Sequence, residues 1–176
     1  MEYKDGVLRV AGVVNDSITD GPGLRFALFL QGCLRGCPGC HNPQTWDVEG
    51  GSDMERGEVL AAVKKNPLLS GVTLSGGEPL LQAKNLFPLA RDIKALGLEV
   101  ALYTGDTFEN ILQRGDEDEL SLLGFCDVMV DGAFILERRN ISLRFRGSDN
   151  QRILDVKKSL ACGQAVLSQD ERWVGP

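Results

Sequence analysis

Apolar runs of strand length alternate with helical patterns along the chain, and this alternation limits the folds that it can adopt. Strands are predicted at 26–30, 72–74, 100–103, 128–130 and 152–154. Helices are predicted at 83–96, at 107–114, from 156, and after a capping box formed by Ser52 and Glu55. This β-α-β-α order predicts one α/β domain over 1–176, with largely parallel strands and the helices outside. About five or six strands are too few for a complete barrel, so we predict a partial β/α barrel.

Three cysteines, Cys33, Cys37 and Cys40, follow directly on the first predicted strand. Ligands of such sheets bind beyond the carboxyl ends of the strands, which is where these cysteines lie. Thiolates are soft ligands that suit iron–sulfur clusters, zinc or copper(I). Three thiolates at this spacing can hold one 4Fe–4S cubane and leave one iron without a protein ligand. Because catalytic metal sites keep such an open position, we predict a catalytic 4Fe–4S cluster on these cysteines.

Other roles for the cysteines remain open at this point. Structural zinc would need His41 as fourth ligand, although adjacent residues such as Cys40 and His41 seldom converge on one ion. Residues 37–41 also spell a c-type haem attachment motif, which would leave Cys33 unexplained. A ferredoxin-like electron carrier is a further alternative, but it would normally have a fourth cysteine ligand. Cys126 and Cys162 each lie alone beside apolar residues and are predicted to be small core side chains.

A second motif, Ser75-Gly76-Gly77-Glu78-Pro79, follows the next predicted strand. Glycines without a Cβ allow the backbone to touch a ligand, and Glu78 provides a negative group that suits an ammonium. The same residues are also compatible with an ordinary turn. Their position one β-α unit after the cysteines favours a ligand-binding role.

At these two motifs the chain resembles the radical S-adenosylmethionine (SAM) superfamily, in which a CxxxCxxC motif precedes Gly-Gly-Glu. The resemblance implies that the amine and carboxylate of SAM chelate the open iron and that the glycine–glutamate loop receives the amine. It also implies that an electron from the reduced cluster cleaves SAM and yields a 5′-deoxyadenosyl radical that abstracts hydrogen. Potentials of iron–sulfur clusters reach roughly −700 mV, which is compatible with this step.

Longer segments resemble the activases of glycyl radical enzymes. Residues 20–25 and 40–47 are similar to these activases in general, including the pyruvate formate-lyase activase. Residues 103–105, 130–134 and 144–152 are similar to the branch that activates anaerobic ribonucleotide reductase. The resemblance therefore implies that the chain installs a glycyl radical on the large subunit of that reductase. Gly39, where most superfamily members have an aromatic residue, fits this branch, whereas His41 is more like the formate-lyase activase.

The resemblance also implies a set of cofactor contacts. SAM is expected to contact Gly39, Cys40, His41, Gly76, Gly77, Glu78, Thr104 and Asp131. Asp131 is also compatible with a plain turn before Gly132, and Trp46 with either shielding of the cluster or ordinary packing. No catalytic residue is assigned beyond the cluster.

Composition and charge concern location and partners. A net charge of −6 argues against a protein that coats nucleic acid, and no apolar run is long enough to span a membrane. Residues 1–6 show no signal peptide, so a cytoplasmic location is expected. A basic stretch is compatible with a solvated face or with docking of the reductase or of an electron donor such as flavodoxin; it consists of Arg138, Arg139, Arg144, Arg146, Arg152, Lys157 and Lys158. The acidic run 116–119 is predicted to be a helix start or a loop rather than a metal site.

Overall fold

The computed structural model describes residues 4–175, which contain one mixed seven-stranded sheet. The strands are β1 Val7–Ser17, β2 Arg25–Leu30, β3 Ser52–Glu55, β4 Gly71–Gly76, β5 Glu99–Tyr103, β6 Val128–Asp131 and β7 Arg152–Asp155. Their order across the sheet is β3-β1-β2-β4-β5-β6-β7. The central strands β2, β4, β5 and β6 are parallel, and the outer strands β3, β1 and β7 pair antiparallel. The predicted α/β class with largely parallel strands is confirmed for the centre of the sheet.

Six α-helices connect or follow these strands within the described residues. They are α1 Arg56–Lys64, α2 Ala83–Ala95, α3 Phe108–Arg114, α4 Glu117–Phe125, α5 Val156–Cys162 and α6 Glu171–Val174. The helices predicted at 83–96, at 107–114 and from 156 are confirmed, with Thr107 as the N-cap of α3. Residues 1–3 and 176 lie outside the described part of the chain, and with them half of the segment 1–6 and the ends of the predicted domain 1–176.

The capping box predicted for Ser52 and Glu55 is wrong. Both residues lie in the short strand β3, which pairs with Val7–Val10 of β1. The capping box lies three residues later, because Glu55 is the N-cap of α1 and the side chain of Glu58 accepts a hydrogen bond from the Glu55 amide at 3.1 Å. Pairing with β1 satisfies the backbone of 52–55, so the helix begins only at Arg56.

The two faces of the sheet are covered differently. Helices α1 to α5 contribute to the large core on one face, where strand residues such as Phe26 and Val72 meet helical residues such as Leu86. On the other face Val130 and Ile153 pack with Trp173 of α6. The larger cavity of the described residues lies on this second face.

A buried arginine fills the second face at the amino ends of the strands. Arg25 is fully buried and donates hydrogen bonds to Glu99 Oε1 and Thr73 Oγ1, both at 2.7 Å. The Trp173 ring lies over this guanidinium at 5.3 Å, and Trp173 Nε1 donates to Glu99 at 3.2 Å. The remaining space on this face lies at the carboxyl ends of the strands, as expected for a sheet of parallel strands.

The acidic run 116–119 is a helix start, as predicted. Oδ1 of Asp116 accepts hydrogen bonds from the amides of Asp118 and Glu119, both at 3.0 Å, and caps α4. We expect Asp116→Ala to lower the free energy of unfolding by about 1 kcal/mol, because these amides lose their acceptor. Urea denaturation measures this loss. Glu117→Ala in the same run removes no cap and should change the free energy by only a few tenths of a kcal/mol; equal losses in the two variants would contradict the capping role.

The two remaining cysteines differ in their surroundings. Cys126 is buried beside the core, as predicted, and burial raises the pKa of its thiol far above the usual range. Cys162 is exposed at the carboxyl end of α5, so its prediction as a core residue is wrong. No helix within residues 4–175 is long and apolar enough to cross a membrane.

Candidate cluster and cofactor site

A cavity of about 750 Å³ lies at the carboxyl ends of β2, β4, β5 and β6. It brings together most of the residues that the sequence singled out. The predicted site residues that line it are Cys33, Cys37, Cys40, His41, Gly76, Gly77, Glu78 and Thr104. Gly39 and Asp131 are not among the lining residues, so their role as cofactor contacts stays a prediction.

The cysteine loop, residues 33–46, leaves the end of β2 and closes on itself. Gly32 N donates to Thr45 O at 2.8 Å, and Cys33 N donates to Trp46 O at 3.1 Å. Within the loop a turn joins Cys40 N to Cys37 O at 3.1 Å. The loop therefore presents all three thiols to one cavity although they are up to seven positions apart in the chain.

The donor set of the cavity fits an iron–sulfur cluster. Cys33, Cys37 and Cys40 are half-buried free thiols on the cavity wall. Within residues 4–175 no three His, Cys, Asp or Glu side chains converge on the point that a single metal ion would occupy. A cubane is larger than one ion, and its three cysteines bind three different irons, so they need not converge on one point. Soft thiolates around an open cavity meet both needs of such a cluster.

Burial also affects the thiol at the base of the loop. It raises the pKa of Cys33 above its usual value, while a hydrogen bond from the Arg35 amide acts in the opposite direction. A thiol must lose its proton to bind iron. Binding of iron by Cys33 would therefore require displacement of a proton by the metal.

The glycine–glutamate loop is packed against the start of the cysteine loop. Gly77 N donates to Leu30 O and Glu78 N donates to Gly32 O, both at 2.8 Å. Gly76 has φ +101°, which L side chains rarely adopt, and a Cβ at Gly77 would overlap the Gly32 carbonyl. The two glycines are thus required for the close contact of the two motifs.

The Glu78 carboxylate joins three parts of the site. Oε1 accepts hydrogen bonds from Thr104 Oγ1 at 2.8 Å and Leu80 N at 3.3 Å. Oε2 accepts from Gly105 N at 3.0 Å and Arg35 Nε at 3.2 Å. Burial raises the pKa of Glu78, and these four donors act in the opposite direction. Glu78 therefore connects the cysteine loop, through Arg35, to the ends of β4 and β5.

Arg35 and Asp106 are site residues that were not predicted. Arg35 Nη2 lies 3.2 Å from Asp106 Oδ2, and Asp106 Oδ2 also lies 2.8 Å from Arg114 Nη1. Gly105 makes room for the arginine, since a Cβ there would overlap the Arg35 side chain. A sequence signal for this link existed, because Arg35 lies between Cys33 and Cys37 and Asp106 directly follows the segment 103–105.

Asp131 has a clear local role. Its carboxylate is fully buried, forms an ion pair with Arg152, and accepts a hydrogen bond from Phe108 N at 2.9 Å at the start of α3. The chain bends at Gly132, which has φ +100°. Asp131 thus fixes the ends of β6 and β7 beside the cavity.

The aromatic residues near the cluster loop differ in their contacts. The His41 ring lies 5.4 Å from the Phe134 ring, and both line the cavity. Trp46 is half-buried, and its Nε1 has no hydrogen-bond partner among the described residues. His41 therefore connects the cysteine loop to the chain that follows β6.

The basic stretch does not form one continuous unpaired surface. Four of its members pair with acids: Arg138 with Asp149, Arg152 with Glu109 and Asp131, Lys157 with Asp127, and Lys158 with Asp155. Arg139 and Arg144 are exposed, whereas Arg146 lines the cavity. Docking of a partner protein would therefore use separate exposed positions, such as Arg139 and Arg144, and not the whole basic stretch.

Comparisons with known proteins agree with this site. A family model described as a 4Fe-4S single cluster domain matches residues 19–154. An anaerobic ribonucleoside-triphosphate reductase-activating protein of Vibrio cholerae is 35% identical, with 76% of this chain and 89% of that protein covered. The protein of the same name from enterobacteria phage T4 is 36% identical, with 76% and 85% covered.

A pyruvate formate-lyase-activating enzyme of Clostridium pasteurianum is 35% identical over 70% of this chain and 55% of that protein. Among solved structures, QueE from Escherichia coli matches with a TM-score of 0.48 at 18% identity, covering 57% of this chain and 53% of that one. This structural likeness is too low to carry an argument.

Proposed function

Because the chain belongs to the family of anaerobic ribonucleoside-triphosphate reductase-activating proteins, with a 4Fe-4S single cluster domain, we propose that it installs a glycyl radical on the large subunit of an anaerobic ribonucleotide reductase. The observation that carries this proposal is the contact between the two motifs. Three cysteines and the Gly-Gly-Glu loop border one cavity. Two backbone hydrogen bonds join this loop to Leu30, the last residue of β2, and to Gly32, which lies just beyond it.

The chemistry requires one electron and one hydrogen atom. When bound, the reduced cluster supplies the electron that cleaves SAM to methionine and a 5′-deoxyadenosyl radical, which takes hydrogen from a glycine Cα and becomes 5′-deoxyadenosine. Cys33, Cys37 and Cys40 would hold the cluster, and the backbone of 76–78 would receive the amine of SAM. Thr104 and Glu78 would keep this backbone in place through their hydrogen bond.

The proposal also covers the fold, the location and the electron donor of the protein. We infer a partial β/α barrel over 1–176, which is supported by five helices on one face and a cavity on the other. We also propose a cytoplasmic location, and an electron donor such as flavodoxin that docks at exposed positions of the basic stretch. Neither nucleic acid nor a membrane is proposed as a partner.

A second candidate function is activation of pyruvate formate-lyase. It is supported by the similarity to the Clostridium pasteurianum enzyme and by His41 after the third cysteine. The chain spans only 55% of that enzyme, whereas it spans 89% of the Vibrio cholerae activating protein. The reductase is therefore the preferred partner.

Cleavage of SAM tests the proposed chemistry. After anaerobic reconstitution with iron and sulfide, reduction in the presence of SAM should release 5′-deoxyadenosine and methionine in equal amounts. A protein that binds a cluster but leaves SAM intact under strong reduction would instead be an electron carrier.

A further inference from the structure

Arg146 is a cation in the cavity that forms no ion pair with an acidic side chain of the described residues. Two arginines line the cavity, and the other, Arg35, pairs with Glu78 and Asp106. Nη1 of Arg146 donates to the backbone carbonyl of Gln151 at 3.2 Å, whereas its buried Nε has no hydrogen-bond partner within residues 4–175. Buried polar groups are nearly always hydrogen-bonded, so an N–H of this kind points to an acceptor that is not part of the chain.

Most polar groups next to Arg146 have partners within the protein, although the buried Oδ1 of Asn150 has none among the described residues. Ser148 Oγ accepts from Ile135 N at 3.2 Å, Asn150 Nδ2 donates to Ala133 O at 2.8 Å, and Gln151 Nε2 donates to Gly132 O at 3.0 Å. These bonds hold the segment 144–152 against the chain that follows β6. The charge of Arg146 is not needed for this attachment.

The backbone turns Arg146 towards the cavity. Phe145, which precedes it, has φ +52° and is the one non-glycine residue with positive φ among the described residues. Phe145 and Arg146 both line the cavity, although neighbouring side chains of an extended chain point to opposite sides. Strained backbone of this kind occurs preferentially at ligand sites.

The segment also touches the cysteine loop. A Cβ at Gly147 would lie 3.5 Å from Cε1 of His41, the residue after Cys40. The guanidinium is therefore carried by a segment that borders the cluster side of the cavity.

We propose that Arg146 binds the methionine carboxylate of SAM. This rests on the proposed function, which makes SAM the ligand of the cavity. Three acids also line the cavity, Asp16, Asp20 and Glu78, and they suit the amine and the sulfonium but would repel the carboxylate. A guanidinium forms strong, charge-assisted hydrogen bonds with a carboxylate, so Arg146 can bind the carboxylate oxygen that does not chelate the iron. The free Nε of Arg146 meets the one anionic group of the cofactor.

Binding of two ligands that differ only in this group tests the proposal. The dissociation constants of SAM and of decarboxylated SAM are measured anaerobically on reconstituted wild type, Arg146→Gln and Arg146→Lys. We expect Arg146→Gln to weaken SAM binding about 10- to 100-fold, the range for a hydrogen bond to a charged group. Binding of decarboxylated SAM should not change. Arg146→Lys keeps the charge and should show a smaller loss for SAM.

Arg144→Gln is the matched control, because Arg144 is exposed two residues earlier in the same segment. It should bind both ligands like wild type. Circular dichroism and iron content establish that each variant is folded and loaded. If Arg146→Gln fails this check, the ratio of the two affinities in Arg146→Lys decides.

The role of Arg146 would be overturned if Arg146→Gln kept the wild-type ratio of the two affinities, whether both ligands bound as in wild type or both were weakened equally. If wild type itself does not bind SAM, the proposed function fails instead.

Discussion

Cys37→Ala is expected to abolish cluster binding and SAM cleavage together. Iron content after anaerobic reconstitution should fall from about four irons per chain towards background, because a cubane held by three thiolates loses one of them. Production of 5′-deoxyadenosine should fall to background for the same reason. Iron analysis, visible absorption and product chromatography measure these losses on the same samples.

Cys162→Ala is the control for this variant. Cys162 is exposed on α5 and does not line the cavity, so iron content and SAM cleavage should equal those of wild type. A Cys37→Ala protein with wild-type iron, or a loss of iron in Cys162→Ala, would contradict the assignment of the cluster ligands.

Glu78→Gln is expected to disrupt the link between the two motifs. Both carboxylate oxygens of Glu78 accept hydrogen bonds, two each, whereas a glutamine amide offers one oxygen and would turn its NH₂ towards two donors. We expect a loss of about 3 kcal/mol in the free energy of unfolding, since a buried acceptor is removed from several donors. SAM cleavage should fall at least about 100-fold as the glycine–glutamate loop loses its attachment.

Denaturant titration and product formation test Glu78→Gln, with Glu117→Gln as the matched substitution. Glu117 is exposed in the first turn of α4, far in the chain from both motifs, and its variant should match wild type in both measurements. Wild-type stability and activity in Glu78→Gln would show that the carboxylate does not organise the site.

The central strands and most helices could be predicted from the sequence because their signals are local. Buried parallel strands are continuous apolar runs. The side chain of Thr107 caps the start of α3, and Gly97 adopts the positive φ that follows the end of α2. The strand β1 and its partner β3 could not be predicted. β3 reads Ser-Asp-Met-Glu and is mostly exposed, so only its pairing with Val7–Val10 makes it a strand.

The candidate site was predictable where its residues lie in compact motifs. The cysteines and the Gly-Gly-Glu loop each carry their chemistry within a few positions, and the parallel sheet brings them to one edge. The use of the glycines was only partly foreseen, because Gly77 also lets the loop pack on Gly32. The contact between Gly77 and Gly32 depends on the register of β2 against β4, which cannot be predicted from the sequence pattern.

Roles that depend on distant partners were missed. Asp106 acts on the site through Arg35, which lies 71 positions earlier in the chain. Each residue lies beside a motif, but only the folded chain shows that the two form an ion pair. Arg146 was counted with the basic stretch, yet its position in the cavity follows from the left-handed backbone of Phe145. Such roles become visible only when the folded chain fixes the neighbours.

The most direct test of the central claim is electron paramagnetic resonance of a reductase mixed with this protein. The reconstituted protein, SAM and a strong reductant are incubated anaerobically with the large subunit of the anaerobic ribonucleotide reductase, and in parallel with pyruvate formate-lyase. We predict a glycyl radical signal on the reductase that requires SAM and is absent with Cys37→Ala. Release of 5′-deoxyadenosine without a radical on the reductase, or a radical on pyruvate formate-lyase alone, would contradict the proposed partner.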